Sequence, residues 1–473
     1  MGQATTKAET KRWAQEQFGQ AELGDQRRTK RLVKIATDLA RDKGATVPQA
    51  CGTDGAAQEA AYRFIRNEAI EPARIGQAAY GATVKRAQEY ELMVEIQDST
   101  TLSYQHKVAQ ELGDLGGGEN SAQRGFWVHS SLLVDAQTGE SVGLMDVQTW
   151  LRASEDRGQR HQRKQRAYPD KESFKWQRTT EQVRQRLGPQ LMERVVSVSD
   201  RESDIYQYMA DKLAHQERFV VRACWNRVVR DEQDAPWERL WTLWPKAPIV
   251  GSLLLPVEQR GGRPAREIDL TIRALSIQLK RPGPVGPGYP PHLDVHVIAA
   301  TEDNPPADIE VPLEWVLLTS EPIDIPEQVL QALHYYRLRW RIEEFHKAWK
   351  SGAGVERLRL QSPGNLLRMA FLLAFVAVHL LQLRERMMAA PEAPCDQIME
   401  PLEWKVLWAA VENKRPPKEV PSVRWAMEAL ARLAGWTDTK RTGRIGWATL
   451  WRGWFKLQER MEGFYAASLV GDS

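Results

Sequence analysis

The sequence predicts a mixed α/β core, interrupted by a β-strand insertion and enclosed by helical regions at both ends. Three observations carry that prediction. Short apolar, β-rich runs such as MVEIQ and VVSVS alternate with helical periods in the first half of the chain. Residues 224–320 change to alternating strands around a loop rich in Pro and Gly. The two ends instead show the i, i+3, i+4 apolar spacing of amphipathic helices.

Composition narrows the class. A chain of 473 residues exceeds a single core and should hold roughly two to four domains. With 42% hydrophobic and 27% charged residues it has the balance of an ordinary soluble globular protein. No uninterrupted apolar run reaches about eighteen residues, and the opening MGQATTKAETKRW has no apolar signal core, so neither secretion nor membrane spanning is expected. Cys51, Cys224 and Cys395 stand singly, without CxxC or a zinc-spaced histidine, which fits a reduced, cytoplasmic protein lacking a structural metal. The net charge of +3 is a weak pointer to nucleic acid, but its distribution says more. Arg27, Arg28, Lys30, Arg31 and Lys34 form one basic cluster, and Arg157, Arg160, Arg163, Lys164 and Arg166 form another. The 18 tryptophans offer a surplus of surfaces on which bases could stack.

Residues 1–70 predict helices. In LGDQRRTKRLVKIATDLARDKG, Asp25 is placed to cap, Gly44 to stop, and Leu32, Ile35, Ala36 and Leu39 form the apolar stripe. AAQEAAYRFIRN follows, with Tyr62 and Ile65 flanked by Arg63 and Arg66. A small bundle with a basic face results; DNA contact through Arg27, Arg28, Arg31, Arg63 and Arg66 is its obvious use, a merely solvated face the alternative. From residue 90 the period shortens. ELMVEIQD is a strand ending in Asp98, and GFWVHSSLLVD and SVGLMDVQTW flank AQTGE as a hairpin. Residues 152–170 are a polar, basic loop, and residues 171–187 a helix. VVSVS is a buried strand with Asp200 at its carboxyl end, a helix beginning at once over residues 202–214, and RFVVR is the next strand. Carboxyl ends of strands in open α/β sheets are where sites are built.

The insertion contributes strands at residues 268–279, 293–300 and 313–320, with RPGPVGPGYPPH (residues 281–292) as a loop that can be neither helix nor central strand. Residues 335–350, YYRLRWRIEEFHKAWK, lack Gly and Pro and predict one helix. At about 100° per residue, Leu338, Ile342, Phe345 and Trp349 make its buried stripe. Tyr336, Arg339, Glu343, Lys347 and Lys350 fall on the opposite, exposed face. Beyond it, residues 365–387 are an apolar, buried helix, and the remainder is helical and amphipathic.

Asp98, Asp200 and Glu343 lie 102 and 143 residues apart, so only the fold can unite them. Taken singly, each is more often a turn, cap or surface acid than a ligand. Taken together, two strand-end acids and a helix acid beside cations suit metal-dependent phosphoryl chemistry, in which hard oxygens hold divalent ions and Arg and Lys grip phosphates.

IQDSTTLSY, VSDRESDIYQYMADKLAHQERFVVR and YRLRWRIEEFHKAWKSGAG resemble the DDE cut-and-paste transposases of bacterial insertion sequences. The likeness is to the Tn-five-type branch, marked by Tyr–x2–Arg–x3–Glu–x6–Lys, which is complete here as Tyr336, Arg339, Glu343 and Lys350. It extends from LGDQRRTKRLV to TKRTGRIGWATLWRGW, nearly the whole chain.

The resemblance implies a ribonuclease H-like catalytic core over residues 71–223 and 312–365, with the β insertion at 224–311. It further implies an N-terminal helical DNA-binding domain at 1–70 and a C-terminal helical dimerisation region at 366–473. Asp98, Asp200 and Glu343 would be the catalytic acids and the ligands of two Mg2+ ions, with Mn2+ as a substitute. Tyr336, Arg339, Lys347 and Lys350 would hold the DNA end, Arg222 would touch DNA, and Trp315 would stack a flipped base. The partners implied are double-stranded transposon ends, target DNA and a second copy of the chain. The reaction implied is nicking, hairpin formation, hairpin opening and joining to target. A non-joining nuclease on the same core and a catalytically silent DNA-binding relative are the alternatives. Residues 152–170 and 281–292 depart from the family, so no phosphate contact carries over to them.

Overall fold

The computed structural model describes residues 2–41, 45–116, 123–153, 166–231, 235–257, 266–306, 309, 311–437, 439 and 445–471. Gly44 and the basic residues Arg157, Arg160, Arg163 and Lys164 lie outside the described residues.

The chain opens with helices Gly2–Phe18 (α1), Gln26–Arg41 (α2), Val47–Cys51 (α3), Gly55–Ile65 (α4) and Pro72–Ala87 (α5). The Asp25 carboxylate accepts the Arg27 amide at 2.8 Å at the head of α2, and Asp54 accepts the Ala57 amide at 2.9 Å at the head of α4. Leu32, Ile35, Ala36 and Leu39 are buried, as their spacing predicts. These helices share one continuous apolar core with the sheet and with the long helix Pro363–Ala389, named α10 below. Phe18 meets Phe375 edge-on at 5.8 Å, and the buried Arg368 donates to the carbonyls of Ile70 and Ile65 at 2.7 and 3.1 Å.

Then come Met93–Tyr104 (β1), Gly113–Asp114 (β2), Arg124–Asp135 (β3), Ser141–Trp150 (β4), Lys175–Met192 (α6), Val195–Ser199 (β5), Tyr206–Ala214 (α7) and Arg218–Arg222 (β6). β4, β3 and β1 are antiparallel neighbours, and β5 and β6 run parallel to β1. This order, β4–β3–β1–β5–β6 with helices on the faces, is a ribonuclease H-like core. Two expectations need correction here. β1 does not end at Asp98: it runs on to Tyr104 because β3 pairs with it along its whole length. The helix after Asp200 is also delayed. Asp200 caps a single 3-10 turn, Arg201–Ser203, and α7 begins only at Tyr206.

The insertion supplies Val228–Arg230 (β7), Glu238–Arg239 (β8), Ile249–Val257 (β9), Arg266–Lys280 (β10) and His292–Thr301 (β11). It is not a separate layer. Glu314–Thr319 (β12) pairs with β6 on one side and β11 on the other, so the insertion extends the same 12-stranded sheet. The last third holds Pro326–Leu338 (α8), Trp340–Lys347 (α9), Pro363–Ala389 (α10), Pro401–Glu412 (α11), Val423–Leu433 (α12) and Trp447–Gly471 (α13). α10 is long and apolar enough to cross a membrane by length and composition, yet most of it is buried inside the protein.

Candidate active site

Strand register builds the site. β1 and β5 pair from Met93 with Val195 to Ile96 with Val198. Continued two residues further, that register sets Asp98 level with Asp200. β5 and β6 pair from Val196 with Arg218 to Ser199 with Val221, which sets Arg222 level with Asp200. One row across three neighbouring strands therefore carries acid, acid and arginine at the carboxyl ends of β5 and β6.

The third acid arrives from α9. Ile342, Phe345 and Trp349 are buried, with the Phe345 and Trp349 rings stacked at 5.6 Å and the Trp349 indole N–H donating to Ala370 at 3.2 Å. Arg341 donates to the Gly139 carbonyl at 2.7 Å and to Glu344 at 2.6 Å, and Arg384 of α10 reaches Glu344 at 3.1 Å. Gly139, at the hairpin turn with φ +72°, is required: a Cβ there would come within 2.9 Å of Leu338. α9 is thus locked to the β3–β4 hairpin and to α10, and this fixes where Glu343 stands.

Arg339 ties Asp200 to Glu343. It occupies the junction of α8 and α9, so the segment 335–350 is two helices and a closing π turn rather than one helix. Its guanidinium lies 3.3 Å from Glu343 and 3.7 Å from Asp200. Burial works against its charge, but Tyr336, Asp200, Glu343 and Asp98 together hold it more firmly protonated than usual. Burial pushes the Asp98 carboxyl up to about 6; the Ser99 amide and Arg339 oppose this, and Glu343 and Asp200 add to it. Strand register thus puts Asp98 beside Asp200, and Arg339 spans Asp200 and Glu343. Asp98 also accepts the Ser99 amide and Asp200 the Arg201 amide, both at 2.8 Å.

The donor chemistry fits a divalent cation: three carboxylates, with mutual repulsion between them. Among the described residues no three His, Cys, Asp or Glu side chains are grouped closely enough to hold one ion as they stand. Arg339 lies between Asp200 and Glu343 and offsets part of their charge.

The expected exposed face is corrected as well. Tyr336 and Arg339 are buried, Glu343 and Lys350 half-buried, and only Lys347 is exposed. Tyr336 lies under the rim with its ring edge-on to Trp315 at 5.3 Å, and burial raises its phenol against the nearby Arg222. Trp315 is 7% exposed, a packed ring rather than a presented one. Arg222 donates to the Glu314 carbonyl at 2.8 Å. Burial lowers Lys350, with Glu356 opposing. In the N-terminal helices Arg27, Arg63 and Arg66 are exposed, Arg66 lying over the Tyr62 ring at 5.4 Å. Arg28 and Arg31 are half-buried, Arg28 donating to Leu23 at 2.9 Å.

Sequence reasoning missed the polar layer beneath the acids. His129 joins Ser99 at 2.9 Å through Nδ1 and Gln97 at 3.1 Å through Nε2. Gln97 donates to the fully buried Glu95, which also accepts the hydroxyls of Ser131 and Ser197 at 2.6 and 2.7 Å. The Gln97 amide oxygen can only accept, so Nε2 of His129 carries the proton and Ser99 donates to Nδ1. This pins the backbone beside Asp98. Alternating Glu95, Gln97 and Ser99 in one strand was the available signal, since a strand directs such residues to one face.

Two family models match the chain. Residues 10–70 match a family described as Transposase DNA-binding, and residues 145–378 match one described as Transposase DDE domain. Asp200, Arg222, Trp315 and the whole Tyr336–Lys350 signature fall within the second match, and the basic residues of α2 and α4 within the first. Asp98 lies outside both, so its place in the site rests on strand register alone.

Proposed function

We propose, on the premise that this chain joins a transposase DNA-binding domain to a DDE transposase domain, that it is a cut-and-paste transposase of the Tn-five-type branch. The observation that carries the reading is the level pair Asp98 and Asp200 meeting Glu343 across Arg339. When bound, two Mg2+ ions (or Mn2+) held by Asp98, Asp200 and Glu343 would supply an activated water and stabilise the leaving oxygen. The remaining work belongs to the chain. Arg222, Arg339, Lys347 and Lys350 neutralise phosphates beside the scissile bond, and Arg27, Arg28, Arg31, Arg63 and Arg66 hold the duplex further along. Buried Tyr336 sets the rim against which Arg222 and Arg339 are placed. Trp315 takes a flipped base by turning away from Tyr336.

Water cuts one strand at the transposon end and frees a 3′-OH. That hydroxyl attacks the opposite strand to form a hairpin, water reopens it, and the freed 3′-OH attacks target DNA. Each exchange makes one P–O bond and breaks one. Pairing of two copies through the C-terminal helices is supported by the exposed Phe464, Tyr465 and Val470 of α13. The three unpaired cysteines support a reducing, cytoplasmic setting.

The test is strand transfer. Pre-cleaved ends and a target plasmid are incubated with the protein and Mg2+, and joined product is expected. Nicked ends without joined product would instead favour a nuclease on the same core.

A further inference from the structure

Beyond the site above, the loop that leaves β6 presents an indole to solvent. Trp225 is 62% exposed, among the most exposed large hydrophobic side chains of the described residues. It is also held unusually firmly at its backbone. Asp204, fully buried and four residues after Asp200, accepts the amides of Cys224 and Trp225 at 2.8 and 2.9 Å. The same carboxylate takes Arg227 Nε at 2.6 Å, so one acid closes the loop from both sides. The Ala223 amide donates to Val316 of β12 at 2.8 Å, and Asn226 accepts the Trp241 amide at 3.0 Å. An exposed aromatic on a mobile tail would be unremarkable surface; one whose loop is clamped by a buried carboxylate is pre-organised to bind.

Its position says what it would bind. β6 follows β5 in the sheet, and Arg222 is level with Asp200, so Trp225 stands three residues beyond the active row on the same rim. β12 pairs Leu317 with Arg222, and the same register brings Trp315 opposite Cys224. Trp315 is packed while Trp225, one residue beyond Cys224, faces out. We infer that Trp225 is a base-stacking residue that holds an unpaired base of the DNA next to the acid row. An indole face accepts any base without reading its edge, so the contact would serve distorted or opened DNA rather than a particular sequence.

The inference rests on DNA being the substrate, and its test is arranged to fail separately from that reading. The full-length protein, Trp225→Ala and Trp225→Phe are titrated with two labelled probes: a fully paired duplex and the same duplex with a one-nucleotide gap. Matching thermal melts establish that the variants fold. Trp225→Ala is expected to bind the gapped duplex about tenfold more weakly and the paired duplex unchanged, with Trp225→Phe within about threefold of wild type on both. Equal binding by Trp225→Ala and wild type, or an equal loss on both probes, overturns the inference. Absence of Mg2+-dependent nicking by wild type would sink the transposase reading and leave this comparison to decide Trp225 by itself.

Discussion

Replacing Arg339 by Met removes the cation that lies among Asp98, Asp200 and Glu343 while keeping most of the side-chain volume. With an effective dielectric near 20, unit charges at the observed 3.3 and 3.7 Å attract by roughly 5 and 4.5 kcal/mol. Those figures are gross. Desolvation of the guanidinium opposes them, and Asp200 and Glu343 keep 34% and 29% of their side chains exposed. The net cost should therefore fall below the roughly 3–5 kcal/mol of stripping one partner from a fully buried pair, near 2 kcal/mol. Urea unfolding in EDTA measures it. Because part of the cost is carboxylate repulsion, it should shrink by about 0.5–1 kcal/mol in an Asp98→Asn background, and Mg2+ should restore part of the stability of Arg339→Met. Arg339→Met as stable as wild type in EDTA, or equally costly with Asp98 neutralised, would refute the picture of one cation shared by three acids.

Two further outcomes follow from the buried polar groups. Arg368→Met leaves the carbonyls of Ile65 and Ile70 without their donor inside the core, and should lower stability by about 2 kcal/mol in the same unfolding assay. His129 is held well below its ordinary value and His346 is pushed down to about 3, both chiefly by burial, so neither charges in the fold. The unfolded chain protonates both near pH 6.5, so it binds more protons and stability falls as pH drops from about 6.5, by up to roughly 1.4 kcal/mol per pH unit for each histidine. Asp98, raised to about 6 in the fold, gains a proton over the same range and offsets part of this. Unfolding free energies measured between pH 7 and 5 in an Asp98→Asn background should therefore show that slope, and His346→Gln should flatten it by about one proton; an unchanged slope would mean that His346 titrates alike in both states.

The elements legible in the sequence were those whose environment is set by their own residues. VVSVS and RFVVR are short apolar runs and became β5 and β6; AQTGE turned β3 into β4. Of the expected stripe, Ile342, Phe345 and Trp349 are buried and Leu338 is half-buried; it was legible because 3.6-residue spacing alone places it. What failed depended on partners remote in sequence. A helical projection gives Tyr336 and Arg339 an open face, because it cannot show that Trp315 and the acids close over that face. Asp98 looked like a strand end because the run MVEIQ stops there; β3 continues the strand through polar residues by backbone pairing, which side-chain pattern does not record. The insertion looked separable because composition changes at its borders, whereas β12 joins it to the sheet through hydrogen bonds. Trp225, one aromatic in an irregular loop, has no period to reveal it, and Asp204 showed no sign of being its clamp.

The central claim is that Asp98, Asp200 and Glu343 act as one metal-dependent cutting site. The most direct measurement pairs end binding with Mg2+-dependent nicking for Asp98→Asn, Asp200→Asn and Glu343→Gln, each nearly isosteric with the acid it replaces. All three should bind end DNA within a few-fold of wild type, and none should nick it above background. A variant that binds and nicks at the wild-type rate would remove its acid from the site; for Asp98 it would also break the strand-register argument that placed it there.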